Sequence, residues 1–321
     1  MGLSSPHEIE ITDANAIPDS SASAAVTEIP RVPGPGLTYS QFFHTFLLPN
    51  RPCLLGSWAT REWPCVSDWV GGAGEPDLAG LQADLHSPAT TVPVSNCGQR
   101  QHNAHCSTEM SFAEYRQYWE GRHSRPGTAL YLKDWHFQRD RRGRPAVYTT
   151  PLYFASDWLN EWWDGQPEAD NDYRFVYVGP QGTWTPFHSD VFGSYSWSSN
   201  IVGKKKWIFY PAGQEIKLKD PLGNLPYDVE AVDERKLDSA SKFEIIQNTG
   251  ETVFVPSGWH HQVYNMVDTI SINHNWFNGC NILTVVLLLR EELSRVEKEL
   301  SDCRDGNADW VQTCQQLLKV G

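Results

Sequence analysis

The sequence has little of what marks secreted, membrane-spanning or nucleic-acid-binding chains. Its seven cysteines, at positions 53, 65, 97, 106, 280, 303 and 314, are odd in number and include no Cys-x-x-Cys pair. That excludes a disulfide framework and a zinc knuckle as organising principles and points to a reducing, cytoplasmic setting. No basic-then-apolar stretch opens the chain, and the longest apolar run, around Val285-Val-Leu-Leu-Leu289, is too short to cross a bilayer. No membrane partner is expected. Excess positive charge is absent too: 39 acidic against 26 basic residues leave a net charge of −13, a field that repels a phosphate backbone, so no direct nucleic-acid partner is expected. A basic protein segment would be attracted instead. No internal repeat is present.

What the chain does have is length and aromatic rings. Its 321 residues suffice for a sizeable core, and 14 Trp, 12 Tyr and 13 Phe suggest a packed aromatic interior or a carved pocket. Residues 1–35 carry Ser, Ala, Pro and Gly without apolar periodicity and read as a flexible leader. Capping boxes at Thr38–Gln41 and Ser111–Glu114 predict helix starts, with strand-like "PCLLG" and "TTVPVSN" and a helical "DLAGLQADL" between them. From about residue 129 to 277 the texture changes to short β-branched and aromatic runs separated by Gly, Pro and Asn, the pattern of a sandwich or barrel; a jelly roll is the natural candidate because it can enclose a ligand cavity. Residues 279–321 are helical in pattern. The expectation is therefore a mainly β fold with flanking helices, made of a leader (1–35), a main domain (36–278) with an N-terminal elaboration, and a C-terminal helical segment (279–321).

Three segments carry the chemistry. In "TPFHSDVF", His188 and Asp190 fall on one side of an extended chain while Phe187 and Val191 fall on the other. In "GKKKWIFYP", alternation puts Lys205 on the face of Trp207 and Phe209, where a buried ammonium is costly unless an anion meets it. In "VFVPSGWHHQVYN", histidines 260 and 261 are adjacent, and a strand starting at Trp259 gives His261 the face of Val263 and Asn265. Two imidazoles and a carboxylate on one side of an octahedral ion, with positions left open, are the ligand set of non-haem Fe(II) oxygenases. The open positions suit a 2-oxo acid and O₂, and a lysine one side-chain length away would anchor the acid's far carboxylate.

The segments "FHSD", "GKKKWIFYP", "GETVFVPSGWHHQVYN" and "TISINHNW" resemble the JmjC branch of the cupin-fold 2-oxoglutarate oxygenases, and "FLLPNRPC", "YLKDWH", "SDWLNEWWD", "NDYRFVYVGP" and "GNLPYDV" extend the likeness from about residue 37 onwards. The resemblance implies a double-stranded β-helix core binding Fe(II) through His188, Asp190 and His261, with His260 set aside as a ligand. It implies 2-oxoglutarate contacts from Lys205, Tyr131, Thr185 and Asn273, with Asn275 a weaker candidate. Ser198 stands where relatives often carry Asn, leaving Ser198 or Asn200 for that contact. Thr185 has the wrong parity to share a face with His188 in a regular strand, so its role requires an irregularity near Pro186. The reaction implied is hydroxylation of a lysine at C4 in eukaryotic release factor 1, a protein substrate tied to translation termination, using Fe(II), 2-oxoglutarate and O₂. The alternatives are a JmjC N-methyl-lysine demethylase and a non-catalytic cupin scaffold. A metal-dependent sugar isomerase on this fold would need a fourth protein ligand, which the sequence does not offer. Nothing at strand or helix spacing gives His102, His105, His123, His136 or His274 a partner, and they read as core or surface residues.

Overall fold

The computed structural model of the chain describes residues 28–124, 127, 129–166, 171–301, 310, 312 and 314. The first 27 residues of the expected leader and most of 302–321 lie outside the described residues. In chain order the strands are β1 (Arg31–Val32), β2 (Cys53–Leu55), β3 (Thr91–Gln101), β4 (Ala104–Ser111), β5 (Leu130–Trp135), β6 (Arg174–Gly179), β7 (Trp184–His188), β8 (Tyr195–Val202), β9 (Lys205–Tyr210), β10 (Phe243–Gln247), β11 (Thr252–Val255), β12 (His260–Asn265) and β13 (Thr269–Trp276). The helices are α1 (Tyr39–Phe42), α2 (Pro64–Asp68), α3 (Leu78–Ala83), α4 (Phe112–Gly121), α5 (Phe137–Asp140), α6 (Trp158–Asp164), α7 (Glu234–Ser239) and α8 (Ile282–Glu299).

The strands form two sheets, one in the order β1-β2-β11-β8-β13-β6-β5-β3-β4 and the other β10-β9-β12-β7. From β6 onward the chain passes repeatedly from one sheet to the other, β6 to β7 to β8 to β9 and later β11 to β12 to β13. It thereby winds a double-stranded β-helix around an interior, as expected. Antiparallel pairing dominates, the exception being β1 beside β2. Because Arg31 and Val32 pair with Leu54 and Leu55 and Ile29 is buried, the last part of the expected leader is packed into the fold.

Both capping boxes form, Thr38 with Gln41 and Ser111 with Glu114, which satisfies backbone donors at the two helix starts. After α1 the chain widens: Leu48 N donates to Phe43 O at 2.9 Å and Arg51 N to Phe46 O at 2.8 Å, a turn looser than an α-helix that delivers the chain to Pro52 and β2. An aromatic cluster packs the outer face of the large sheet, with Phe154 stacked on Trp197 and on Phe254 at 5.8 and 6.0 Å. Between the sheets, Trp207, Phe209, Val253, Val255 and Val263 close one end of the interior. Truncating a ring such as Trp197 to Ala would cost about 3–5 kcal/mol.

The connection from β8 to β9 decides where Lys205 points. Gly203 has φ +105, and a Cβ there would lie 2.4 Å from the Asp268 carbonyl oxygen, so only glycine fits this turn. Strand β9 then alternates as predicted: Lys205, Trp207 and Phe209 are buried, while Lys204 is exposed and Lys206 is half-buried beside Glu230 and Glu244. Among the described residues, no helix is long and apolar enough to cross a membrane.

Candidate active site

Alternation on two neighbouring strands builds the centre. Strands β12 and β7 pair antiparallel with His261 opposite His188, and their ring centroids lie 4.4 Å apart. The ladder of β7 stops at His188. Asp190, two residues on, is still extended at φ −64 and ψ 149, and its carboxylate meets His188 from just beyond the strand end rather than from within it. One ligating atom from each of His188, Asp190 and His261 lies within 4.8 Å of the others.

Hydrogen bonds fix how these side chains present themselves. His188 Nδ1 donates to the Pro186 carbonyl at 2.8 Å, and His261 Nδ1 to the Trp259 carbonyl at 3.3 Å. A carbonyl only accepts, so each ring carries its proton on Nδ1 and leaves the Nε2 lone pair free. Asp190 Oδ2 accepts from Ser196 Oγ at 2.7 Å. Burial, reinforced by neighbouring His188, lowers the pKa of His261 to about 3, keeping it neutral as a ligand must be. His260 points the other way, towards the Phe187 ring and to 3.6 Å from a Glu215 oxygen. Two imidazoles that present Nε2 and a hydrogen-bonded carboxylate are a donor set that fits a divalent iron.

Inside this cluster lies a narrow cavity of about 40 Å³, lined from both sheets by Tyr131, Thr185, Lys205, Trp207, Val263 and Asn273 among others. Lys205 is 2 % exposed, donates to Tyr131 Oη at 3.3 Å, and has its pKa lowered to about 7 by burial. Such an ammonium without a carboxylate beside it fits a cavity built for an anion. Ser198 Oγ donates to Asn273 Oδ1 at 3.1 Å across the β8–β13 ladder, whereas the Asn200 amide is committed to the Gly203 carbonyl at 2.9 Å. Thr185 reaches the cavity because β7 is irregular: Val263 pairs with Thr185 while His261 pairs with His188, so three steps on β7 span two on β12. That bulge around Pro186 inverts the parity of Thr185, as its sequence position required. Asn275 lines the cavity as well.

Outside the cluster opens a wider cleft of about 480 Å³, and Tyr177, Thr185, His188, Asp190 and Asn275 line both spaces. The three-residue cluster thus sits on the threshold between an enclosed cavity and an open one. Several residues here were not singled out from sequence. Ser196, Tyr177 and Asp134 gave no signal beyond strand parity, and for Asp134 parity misleads, because a bulge in β5 turns it. Two of the histidines read as core or surface residues are satisfied by partners far away in the chain: His136 Nδ1 lies 2.9 Å from Asp172, and His274 Nε2 lies 2.7 Å from the Tyr148 hydroxyl. Both contacts join segments distant in sequence, which strand spacing cannot reveal.

A double-stranded β-helix with this triad and an interior lysine is the framework of a cupin-type oxygenase. Residues 175–276 match the profile described as JmjC domain, hydroxylase. The chain is 50% identical over 294 residues to "2-oxoglutarate and iron-dependent oxygenase JMJD4" of Danio rerio, covering 88% of this chain and 68% of that protein. The protein of the same name from Homo sapiens is 46% identical over 293 residues, covering 88% and 69%. "Arginine-specific demethylase JMJ20" of Arabidopsis thaliana is 40% identical over 311 residues, covering 91% and 66%. The chain belongs to the JmjC family of iron- and 2-oxoglutarate-dependent oxygenases.

Proposed function

We propose that the chain is an Fe(II)- and 2-oxoglutarate-dependent protein lysyl hydroxylase acting at C4 of a lysine in eukaryotic release factor 1. The observation that carries the oxygenase reading is the position of the triad between an enclosed cavity holding Lys205 and an open cleft. His188, Asp190 and His261 would hold the iron through two Nε2 atoms and a carboxylate oxygen. Lys205 and Tyr131 would take the far carboxylate of 2-oxoglutarate, with Thr185, Asn273 and Ser198 beside it. When bound, iron and 2-oxoglutarate together supply the activation of O₂ that places a hydroxyl on an unactivated C–H bond, with 2-oxoglutarate leaving as succinate and CO₂.

The protein's own part is positional. Ser196 orients the Asp190 carboxylate, and the two backbone carbonyls hold the imidazoles in the ligating tautomer. Trp207 and Val263 keep water from the cosubstrate end, while the outer cleft aims the target carbon. The release-factor assignment rests on the motif resemblance, and the acidic chain suits a lysine-bearing segment. A second reading, N-demethylation, draws on the name of the Arabidopsis relative and would use the same donor set. Incubation with iron, 2-oxoglutarate and release factor 1 should yield succinate and a +16 mass change on one lysine; a −14 change on methylated peptides with release factor 1 untouched would favour demethylation.

A further inference from the structure

The outer cleft holds polar groups that neither a metal nor a 2-oxo acid would occupy. One wall is formed at β6 by every second residue, Tyr173, Phe175 and Tyr177. The Phe175 ring lies 6.3 Å from that of Tyr173 and 6.4 Å from that of Tyr177, nearly parallel to the latter at 13°. Tyr173 stands edge-on to Phe175 at 87°, so the three rings make an apolar wall leading towards the triad that suits an aliphatic stem ending in a cation.

At the inner end of this wall stands Asp134. Strand β5 pairs Leu132 with Val178 and Trp135 with Val176, so three steps oppose two, and Asp134 in the bulge has φ +59. Left-handed backbone at a non-glycine residue is uncommon, though aspartate and asparagine tolerate it better than most. It presents to the cleft a carboxylate that remains 51 % exposed. Tyr177 Oη donates to one oxygen at 2.6 Å and Lys133 Nζ to the other at 2.9 Å, leaving each oxygen one unused lone pair. Also lining the cleft is His105, 5 % exposed, with neither ring nitrogen hydrogen-bonded within the protein and with Trp184 and Tyr227 edge-on at 4.9 and 5.7 Å. Its nitrogens are shut off from the cleft, so the ring contributes shape to the wall and no hydrogen bond.

We infer that this cleft selects an unmethylated lysine, with its stem along Tyr173, Phe175 and Tyr177 and its ammonium on Asp134. The inference rests on the oxygenase reading and deepens it by naming the residues that choose the target. An ammonium needs only one of the lone pairs left on Asp134. Methylation removes N–H donors one by one, and a trimethylated head has none to give.

The test uses acetylated five-residue peptides with a central lysine, norleucine or trimethyllysine and glycine elsewhere. Binding is read by calorimetry on the full chain loaded with iron and 2-oxoglutarate without oxygen, so no turnover is needed. The wild type should bind the lysine peptide at least about tenfold more tightly than the other two. Asp134→Asn, which suits the left-handed backbone and can still accept from Tyr177, should shrink that ratio to within about twofold, with melting temperature reporting that it folds. Equal binding of lysine and norleucine peptides to the wild type, no detectable binding of either, or a preference that survives Asp134→Asn would overturn the inference. Succinate formation by the wild type in air tests the oxygenase reading separately: if it fails while the lysine preference holds, that reading falls and what stands is a lysine-binding cleft without turnover.

Discussion

Replacing Lys205 by Met should make the protein more stable and a poorer binder of 2-oxoglutarate at once. Burial lowers the lysine from its ordinary pKa of 10.5 to about 7. At about 1.4 kcal/mol per tenfold change in proton affinity, the cosubstrate-free fold carries on the order of 5 kcal/mol of penalty at neutral pH. A packed thioether recovers only part of it, about 1–4 kcal/mol, which raises the melting temperature by about 5 °C in a chain of this size. The sign with pH follows from proton counting. Between pH 7 and 10.5 the unfolded chain keeps this proton and the folded chain has lost it, so wild-type stability rises with pH and the gap to Lys205→Met closes over that window. With 2-oxoglutarate present the order reverses, because the variant has lost a charge-assisted contact; its affinity should drop about 10- to 100-fold. Thermal melts from pH 6 to 10 and anaerobic titration with 2-oxoglutarate check both halves. A variant that melts below the wild type at pH 7, with a gap insensitive to pH and undiminished cosubstrate affinity, would refute the reasoning.

The remaining expectations concern the centre itself. His188→Ala and Asp190→Ala should each abolish iron-dependent succinate release while leaving the melting temperature of the metal-free protein within a few degrees; succinate release unchanged in either variant would count against the triad. Ser196→Ala removes the hydroxyl that holds Asp190 Oδ2 and should weaken iron binding about 10- to 100-fold without abolishing it, as read by metal titration. A Cβ on residue 179 would lie 2.2 Å from Asn265 Nδ2 and 2.7 Å from the Tyr131 ring. Gly179→Ala should therefore cost about 1–3 kcal/mol by overpacking and also raise the KM for 2-oxoglutarate, whereas a stability loss with KM unchanged would detach Tyr131 from the cosubstrate.

Much of the centre was legible along the chain because strand alternation is a local rule. Reading every second residue of β9 puts Lys205 with Trp207 and Phe209, and reading β12 from Trp259 separates His261 from His260. Residue type supplied the rest, since two histidines, a carboxylate and an inward lysine have few other uses in one cavity. The irregular positions were harder. The need for a bulge beside Pro186 was readable from the wrong parity of Thr185, but nothing in "YLKDW" announces the one that turns Asp134.

By itself, then, the order of residues determined which side chains could ligate and which strand faces they occupy, since both depend on chemistry and a period of two. Tertiary structure alone decided that His188 stands opposite His261, that Asp190 swings back from beyond a strand end, that His136 and His274 find partners, and that Asp134 and His105 line one cleft. The turning of Thr185 and Asp134 depends on how β7 and β5 slip by one residue against partners far away in the chain, and the other outcomes on which distant segments pack together. Such a slip is set by the packing of whole sheets and leaves no local mark.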